Sequence, residues 1–299
     1  MQSSASSTRP LRSTPRPFQV ISGVMLPLLD LASHPVIGHR GASGLAPENT
    51  LESFGLAVEQ GAEALEFDVR LSADGVPMVV HDPALDRTTD RTGTVARLSA
   101  GELATADAGF RFTTDGGASQ PWRGRGVRIP QVREVLELFP TIPLLIEVKV
   151  AAAAWPLHRL LLEFGAAPRV VVASFLDEAL LPFHAEEGWA TSASRKGTFR
   201  LWIRSLFGLG APRAPYRTYT IPEYYKDRIH VATPRLIHSA RRAGRPVHVW
   251  TVNDPGRAAR LWGWGASGII TNYPALLLAE RARHFPEEGR CRSRPHDLV

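Results

Sequence analysis

Short, nearly continuous apolar segments recur along this 299-residue chain, at Val36–Gly38, Ala64–Val69, Met78–His81, Leu144–Val148, Val170–Ser174, Ala190–Ser194, Val247–Val252 and Gly268–Thr271. A strand that is apolar on both faces must be covered on both, which is the condition of parallel strands surrounded by helices. Helix-like patterns lie between these segments. Eight such strands in a chain of this length predict an α/β fold, a single (β/α)8 TIM barrel of the usual ~250 residues plus additions.

Several of the runs end in residues that are costly to bury. His39-Arg40-Gly41 follows the first, Glu66-Phe67-Asp68 lies within the second, His81-Asp82 ends the third, and Glu147 and Lys149 end the fourth. The C-terminal ends of barrel strands form the catalytic face, so strand pattern and polar residues point to one place. Side chains two apart on a strand share a face, which puts Glu66 beside Asp68 and turns Leu65, Phe67 and Val69 the other way. Two carboxylates on one face repel. A divalent cation relieves that repulsion, and Glu147 on the next strand is a natural third oxygen ligand for a hard ion such as Mg²⁺ or Ca²⁺. Arg40 and Lys149 beside such a triad describe a metal-assisted phosphate site. Breaking a phosphodiester also needs one group to accept a proton and another to donate one, roles that His39 and His81 fit in either order.

Each residue has a plainer reading. Arg40 could be a structural ion-pair partner, Glu66 and Asp68 rim charges, His81-Asp82 an ordinary hydrogen bond, and Glu48 and Asn49 helix-capping residues. Trp250, at the end of the seventh run, is either core or a wall of the mouth that touches substrate, with Asn253 just beyond it.

At these residues the chain resembles the glycerophosphodiester phosphodiesterase family. The matching pieces are His39-Arg40-Gly41-Ala42 with Pro47-Glu48-Asn49-Thr50, Glu66-Phe67-Asp68-Val69, Val80-His81-Asp82 followed by Asp86-Arg87-Thr88-Thr89 and Gly93, Ile146-Glu147-Val148-Lys149, Trp250-Thr251-Val252-Asn253, and Gly268-Ile269-Ile270-Thr271, in family order from about Val36 to Leu278. The resemblance implies a (β/α)8 barrel and a metal held by Glu66, Asp68 and Glu147. It also implies an acid–base pair His39 and His81, phosphate contacts from Arg40 and Lys149, and release of sn-glycerol 3-phosphate and an alcohol. One departure is Thr271-Asn272-Tyr273-Pro274, where the family often has Thr-Asp-x-Pro. This lowers negative charge at the barrel rim.

The connections carry further expectations. Residues 83–129, about 47 in number and rich in Gly, Thr and Arg, are too long for a plain loop and predict a small inserted cap between the third and fourth strands. Asn49 or Thr50 is expected to cap a helix from Leu51 to Gln60, and another helix is expected over Pro234–Arg242. From Gly188 to Pro222 there is no Asp or Glu, while Arg195, Lys196, Arg200, Arg204, Arg213 and Arg217 supply six positive charges, equal to the formal net charge of +6. Within this stretch Phe199, Trp202, Ile203, Leu206 and Phe207 fall at helical spacing. Such a stripe is expected to pack on the barrel, the alternative being a peripheral membrane contact through 199–207.

Residues 1–34 are expected to form a disordered extension, 35–283 the barrel domain, and 284–299 a disordered tail. The apolar stretch Val20–Ala32 is interrupted by Pro27 and Asp30 and falls short of the ~20 residues that span a bilayer. The single Cys291 excludes an internal disulfide and fits a reducing, cytoplasmic setting, with peripheral membrane attachment the variant of that expectation. The pI of about 10.0 permits weak binding to anionic partners, but no nucleic-acid motif is present.

The residues therefore predict a metal-dependent phosphodiesterase, and the resemblance implies that its substrate is a small-molecule glycerophosphodiester. The related alternative is phospholipase D-type cleavage of lysophospholipids or sphingomyelin. The alternative from another class is a non-catalytic phospholipid-headgroup binding protein, which would have no need of two acid–base histidines.

Overall fold

The computed structural model describes residues 26–286. Its strands in chain order are β1 (Val36–His39), β2 (Ala64–Leu71), β3 (Pro77–Val79), β4 (Leu144–Val148), β5 (Val170–Ala173), β6 (Ala190–Thr191), β7 (Tyr219–Pro222), β8 (Tyr224–Tyr225), β9 (Ile229–His230), β10 (Val247–Trp250) and β11 (Gly268–Thr271). The helices are α1 (Leu51–Glu59), α2 (Ala100–Leu103), α3 (Val132–Leu138), α4 (Ala154–Glu163), α5 (Leu181–Ala185), α6 (Arg195–Leu206), α7 (Pro234–Arg242), α8 (Pro255–Gly263) and α9 (Pro274–His284). Neighbouring parallel strands follow the order β6-β5-β4-β2-β1-β11-β10-β7. A parallel bridge between Ser192 and Thr218 joins the two ends of that order, with Ala193 N donating to Thr218 O at 2.9 Å. The expected (β/α)8 barrel is the fold.

Alternation along each strand sorts the side chains. Leu65, Phe67 and Val69 of β2 and Leu144, Ile146 and Val148 of β4 point outward into a core shared with Phe54, Ala57 and Leu157 of the surrounding helices. Ile37, Ala64, Leu145, Val171 and Ile270 point inward and fill the lower barrel. Glu66, Asp68 and Glu147 continue the inward set at the C-terminal ends, as the period-two reading of β2 predicts.

Two of the expected strands need correcting. Met78–His81 is not a barrel strand: β3 runs antiparallel to β2, with Val69 opposite Val79 and Leu71 opposite Pro77. The physical reason is the connection, since Leu71 to Pro77 is far shorter than the dozen or more residues a parallel crossover requires, and Gly75 supplies a positive φ for the turn. The eighth barrel strand is instead β7, paired in parallel with β10 through Thr220↔His248 and Ile221↔Val249. The long excursion therefore leaves from a hairpin and returns to the third barrel strand, β4. Among its residues Leu85, Val95, Leu103, Val127 and Ile129 build a small core of their own on Met78 and Val80.

The expected disorder of the N-terminal extension does not hold for residues 26–34. A 3₁₀ turn at Pro27–Leu29 seats Leu28, fully buried, in the bottom of the barrel, and the Leu28 carbonyl lies 2.8 Å from His248 Nε2. An apolar Leu-Pro-Leu-Leu run closes the end of the barrel opposite the polar one. Beyond α9, Phe285 stacks on His34 with ring centroids 4.1 Å apart. The expectations for residues 1–25, for the tail beyond 286 and for Cys291 lie outside the described residues.

The helix signals are legible in the structure. Thr50, not Asn49, caps α1 by accepting from Ser53 N, and Thr233 caps α7 with Pro234 at its first position. The stripe on α6 divides: Trp202 packs against the core outside the barrel as expected, and its edges do not. The helix buries Gly197, Leu201 and Ser205, and leaves Phe199, Leu206 and Phe207 exposed. Small residues let it sit close to the barrel, so Phe199, Leu206 and Phe207 are left turned outward while Trp202 keeps contact with the core.

Candidate active site

The first loop begins where β1 ends. Arg40 and Gly41 both take positive φ, 54° and 86°, and a Cβ at Gly41 would lie 2.4 Å from Ser53 Oγ of α1. Glycine is required there because the turn packs directly on the helix. The turn delivers the Arg40 backbone N–H to Glu66 Oε2 at 3.0 Å and its guanidinium to Glu48 Oε1 at 2.8 Å. It also places Arg40 Nε 3.0 Å from Asp68 Oδ2.

Asp68 and Glu147 are directly opposed in the register of β2 and β4, and Glu66 faces His39 across β1 and β2. One oxygen from each of Glu66, Asp68 and Glu147 lies within 4.8 Å of the other two. Lys149 Nζ sits 2.9 Å from Asp68 and 2.8 Å from Glu147. Burial and the adjacent Asp68 push the Glu66 carboxyl well above its ordinary range, and burial raises Glu147 as well. Burial also pushes Asp68 up, but Lys149 and Arg40 outweigh it and hold its carboxyl low. This donor set suits a divalent cation. Three acidic side chains converge on one point, and Glu147 Oε1 is buried within ion-pair reach of Lys149 but without an aligned hydrogen bond.

Two histidines flank this cluster. His39 Nδ1 lies 2.7 Å from Asn272 Oδ1, an oxygen that also accepts from Ser43 Oγ at 2.9 Å. His81 Nδ1 lies 2.7 Å from Asp82 Oδ1. Each ring therefore has Nδ1 engaged and Nε2 available. Burial and the neighbouring Arg40 pull His39 down to about 4, and burial lowers His81 as well. The partners differ in kind, a neutral amide for His39 and a carboxylate for His81.

One pocket is lined by His39, Arg40, Glu66, His81, Glu147 and Lys149, and Trp250 and Phe175 form part of its wall. Those two rings meet edge to face at 6.2 Å. Every expected site residue except Asp68 lines this pocket, and Asp68 lies behind it, bonded to Arg40 and Lys149.

Several residues at the site had no site role assigned from the sequence, although Asn272 stood out there as a departure at the barrel rim and Arg87 within a quoted motif. Asn272 holds His39, and Phe175 and Thr220 line the pocket. Arg87 ties Glu48 of the first loop to Asp82, with Arg87 Nη1 2.8 Å from Glu48 Oε2. Asn49, weighed only as a cap or a loop-orienting residue, is buried with φ 59° and donates from Nδ2 to Asp68 Oδ2 at 2.9 Å. The signal for Asn49 was present in its position before the capping Thr50, where a buried amide has no helical task left. Phe175 is an uncharged residue just beyond β5, and Thr220 lies on β7, a strand that the apolar pattern did not pick out.

Comparison with known proteins agrees with this geometry. The sequence profile of the Glycerophosphoryl diester phosphodiesterase family matches residues 39–276. A Mycobacterium tuberculosis protein named "Probable glycerophosphodiester phosphodiesterase 1" is 45% identical over 283 residues, covering 87% of this chain and 96% of that one. Among solved structures, a glycerophosphoryl diester phosphodiesterase domain from Mycobacterium tuberculosis superposes with a TM-score of 0.73 over 84% of this chain and 99% of that one, and at 21% identity it speaks for the fold alone. An Oleispira antarctica phosphodiesterase in complex with its product sn-glycerol 3-phosphate is 25% identical, with a TM-score of 0.64 over 83% and 96% of the two chains. With a family profile spanning most of its length and a relative of this similarity, the chain belongs to the glycerophosphoryl diester phosphodiesterase family.

Proposed function

We propose that this phosphodiesterase hydrolyses glycerophosphodiesters to sn-glycerol 3-phosphate and an alcohol, with Glu66, Asp68 and Glu147 holding Mg²⁺ or Ca²⁺. One observation carries the reading. Three carboxylates, an arginine, a lysine and two histidines with Nε2 available converge at the C-terminal ends of β1, β2 and β4 and just beyond β3. When bound, the ion would polarise a phosphoryl oxygen as a Lewis acid. Arg40 and Lys149 hold the other phosphoryl oxygens and offset the charge that grows on them in the transition state.

His39 is the base in this reading. Its Nδ1–H donates to a neutral amide and Arg40 stands beside it, so the ring stays unprotonated with Nε2 ready to accept. His81, on the carboxylate of Asp82, is better able to carry a proton and give it to the leaving alkoxide. The attacking oxygen is the neighbouring hydroxyl of the substrate's glycerol or a water, and the residues accommodate both. Trp250 and Phe175 contact the carbon skeleton of the bound ester. The inserted segment 83–129, tied to the first loop by Arg87–Glu48 and by Trp122 Nε1 donating to Leu45 O at 3.3 Å, caps the side on which the alcohol leaves. No observation favours cleavage of lysophospholipids or sphingomyelin, or headgroup binding without catalysis.

The test is release of glycerol 3-phosphate from glycerophosphocholine with Mg²⁺, with Ca²⁺ and with EDTA, using His81→Ala as control. Metal-dependent release that His81→Ala abolishes supports the reading and names the ion. Release that survives both EDTA and His81→Ala would remove the metal and the histidine pair from it.

A further inference from the structure

The aromatic stripe of α6 is only partly buried: Trp202 packs on the core, while Phe199 and Phe207 face outward. The helix is seated on Gly197, Leu201 and Ser205, and at Gly197 a Cβ would already lie 3.0 Å from Tyr216 Cε1, so it cannot roll inward. On its outer face Phe199 is 59% exposed and Phe207 75%. The hairpin β8–β9 extends this surface with Tyr224, Tyr225 and Ile229, all more than two-fifths exposed. The two elements are physically joined. Phe199 stacks on Trp202 at 6.2 Å, Trp202 Nε1 donates to His230 O at 3.2 Å, and His230 stacks on Tyr224 at 4.8 Å. A joined aromatic strip of this kind exceeds the scattered apolar residues of an ordinary surface and marks an interaction site.

Charge identifies the partner. Residues 195–230 contain eight Arg and Lys against two acids, Glu223 and Asp227, and Glu223 is buried and held by Arg257 and Arg260. From a neighbouring element Asp177 pairs with Lys196 at 3.1 Å, which leaves the remaining cations in excess. A second copy of this chain would set like charges against like. Aromatic rings flanked by arginines instead match the headgroup layer of an anionic bilayer, where rings enter the interface and cations meet lipid phosphates.

We propose that the outer face of α6 and the β8–β9 hairpin form a docking surface for membranes bearing anionic lipids. No helix among the described residues is long and apolar enough to cross a bilayer, so this attachment is peripheral and reversible. The strip begins at the pocket. Ser194 caps α6, and the next residue, Arg195, stacks its guanidinium over Phe175 of the pocket wall at 5.4 Å. With α6 lying along the headgroup layer, the mouth of the barrel opens at the edge of the lipid surface, whatever the reaction inside it.

The test is co-sedimentation of the full-length protein with equimolar phosphatidylglycerol–phosphatidylcholine vesicles and with pure phosphatidylcholine vesicles. Binding is expected to the anionic vesicles alone and to weaken with salt. The double variant Phe199→Ser/Phe207→Ser is expected to lower the partition coefficient at least about tenfold, because each ring removes one large apolar contact with the interface. Arg200→Glu/Arg204→Glu is expected to abolish the preference for anionic vesicles. Both variants should keep the wild-type melting temperature and hydrolysis of soluble glycerophosphocholine, which separates docking from folding and from the pocket. Equal vesicle binding by wild type and the Phe variant, or no binding by wild type, overturns the proposal. So does a wild-type dimer that the Phe variant converts to monomer, which would give the strip to a second copy.

Discussion

Asn49 clamps Asp68 of the carboxylate cluster without being part of it. Its Nδ2 donates to Asp68 Oδ2 at 2.9 Å, its Oδ1 accepts from Asp68 N at 3.3 Å, and it does so from φ 59°. Replacement by Ala removes a buried hydrogen bond to a charged group, about 1.5–3 kcal/mol. It also leaves a residue with a Cβ in the left-handed region, costing roughly 1–2 kcal/mol more. Replacement by Gly removes the same hydrogen bond but relieves the backbone cost. Asn49→Ala should therefore be destabilised by roughly 2.5–5 kcal/mol and Asn49→Gly by ~1 kcal/mol less, the reverse of the usual Ala–Gly order. Both should lose about 10–100-fold in activity or in affinity for the divalent ion, since Asp68 is no longer held against its neighbours. Urea unfolding gives the first pair of numbers, and glycerol 3-phosphate release across a metal titration gives the second. A Gly variant equal to wild type in both assays would refute the clamp, and equal stability of the two variants would refute the backbone argument.

Other parts of the structure give smaller tests. Leu28→Ala should cost about 2–5 kcal/mol in urea unfolding with an unchanged rate per folded molecule, because Leu28 packs at the end of the barrel away from the pocket. Burial holds His248 down to about 4, well under its ordinary value, so between pH 4 and 6.5 the unfolded chain binds more protons. Its contribution is complete above pH 6.5 and is lost as pH falls toward 4, up to ~3 kcal/mol, and His248→Gln should flatten the stability–pH slope in that window. A divalent ion at about 100 times its dissociation constant should add ~2.7 kcal/mol, a rise in melting temperature of roughly 5–10 °C, and Glu147→Gln should remove most of that gain. Thermal melts with and without EDTA decide it, and a gain undiminished in the variant would take Glu147 out of the metal site.

The sequence by itself determined the barrel and the content of its polar end. The period of two along β2 already separates Glu66 and Asp68 from Leu65, Phe67 and Val69, because alternation is a property of the extended backbone and needs no partner. Apolar runs interleaved with helices define a parallel sheet covered on both sides for the same local reason. The antiparallel course of β3 was misread as a barrel strand although Ala73-Asp74-Gly75 is a turn signal in too short a connection for a crossover. What only the tertiary structure decided is which face meets which. Tyr219–Pro222 became a barrel strand because β10 offered it a parallel edge, although its short length and a terminal Pro followed by Glu223 hide it in the sequence. Leu28 became a plug because the barrel bottom was open to it. Phe175 and Thr220 joined the site from strands distant in sequence, which no local pattern encodes, and Asn272, already visible as a rim residue, gained its partner His39 only there. On α6 the periodicity showed an apolar stripe but not its direction. Close packing against Tyr216 favoured the face with the smallest side chains, so Phe199 and Phe207 were left to the solvent side while Trp202 kept its contact with the core, because space at an interface is set by both partners and hydrophobicity by one alone.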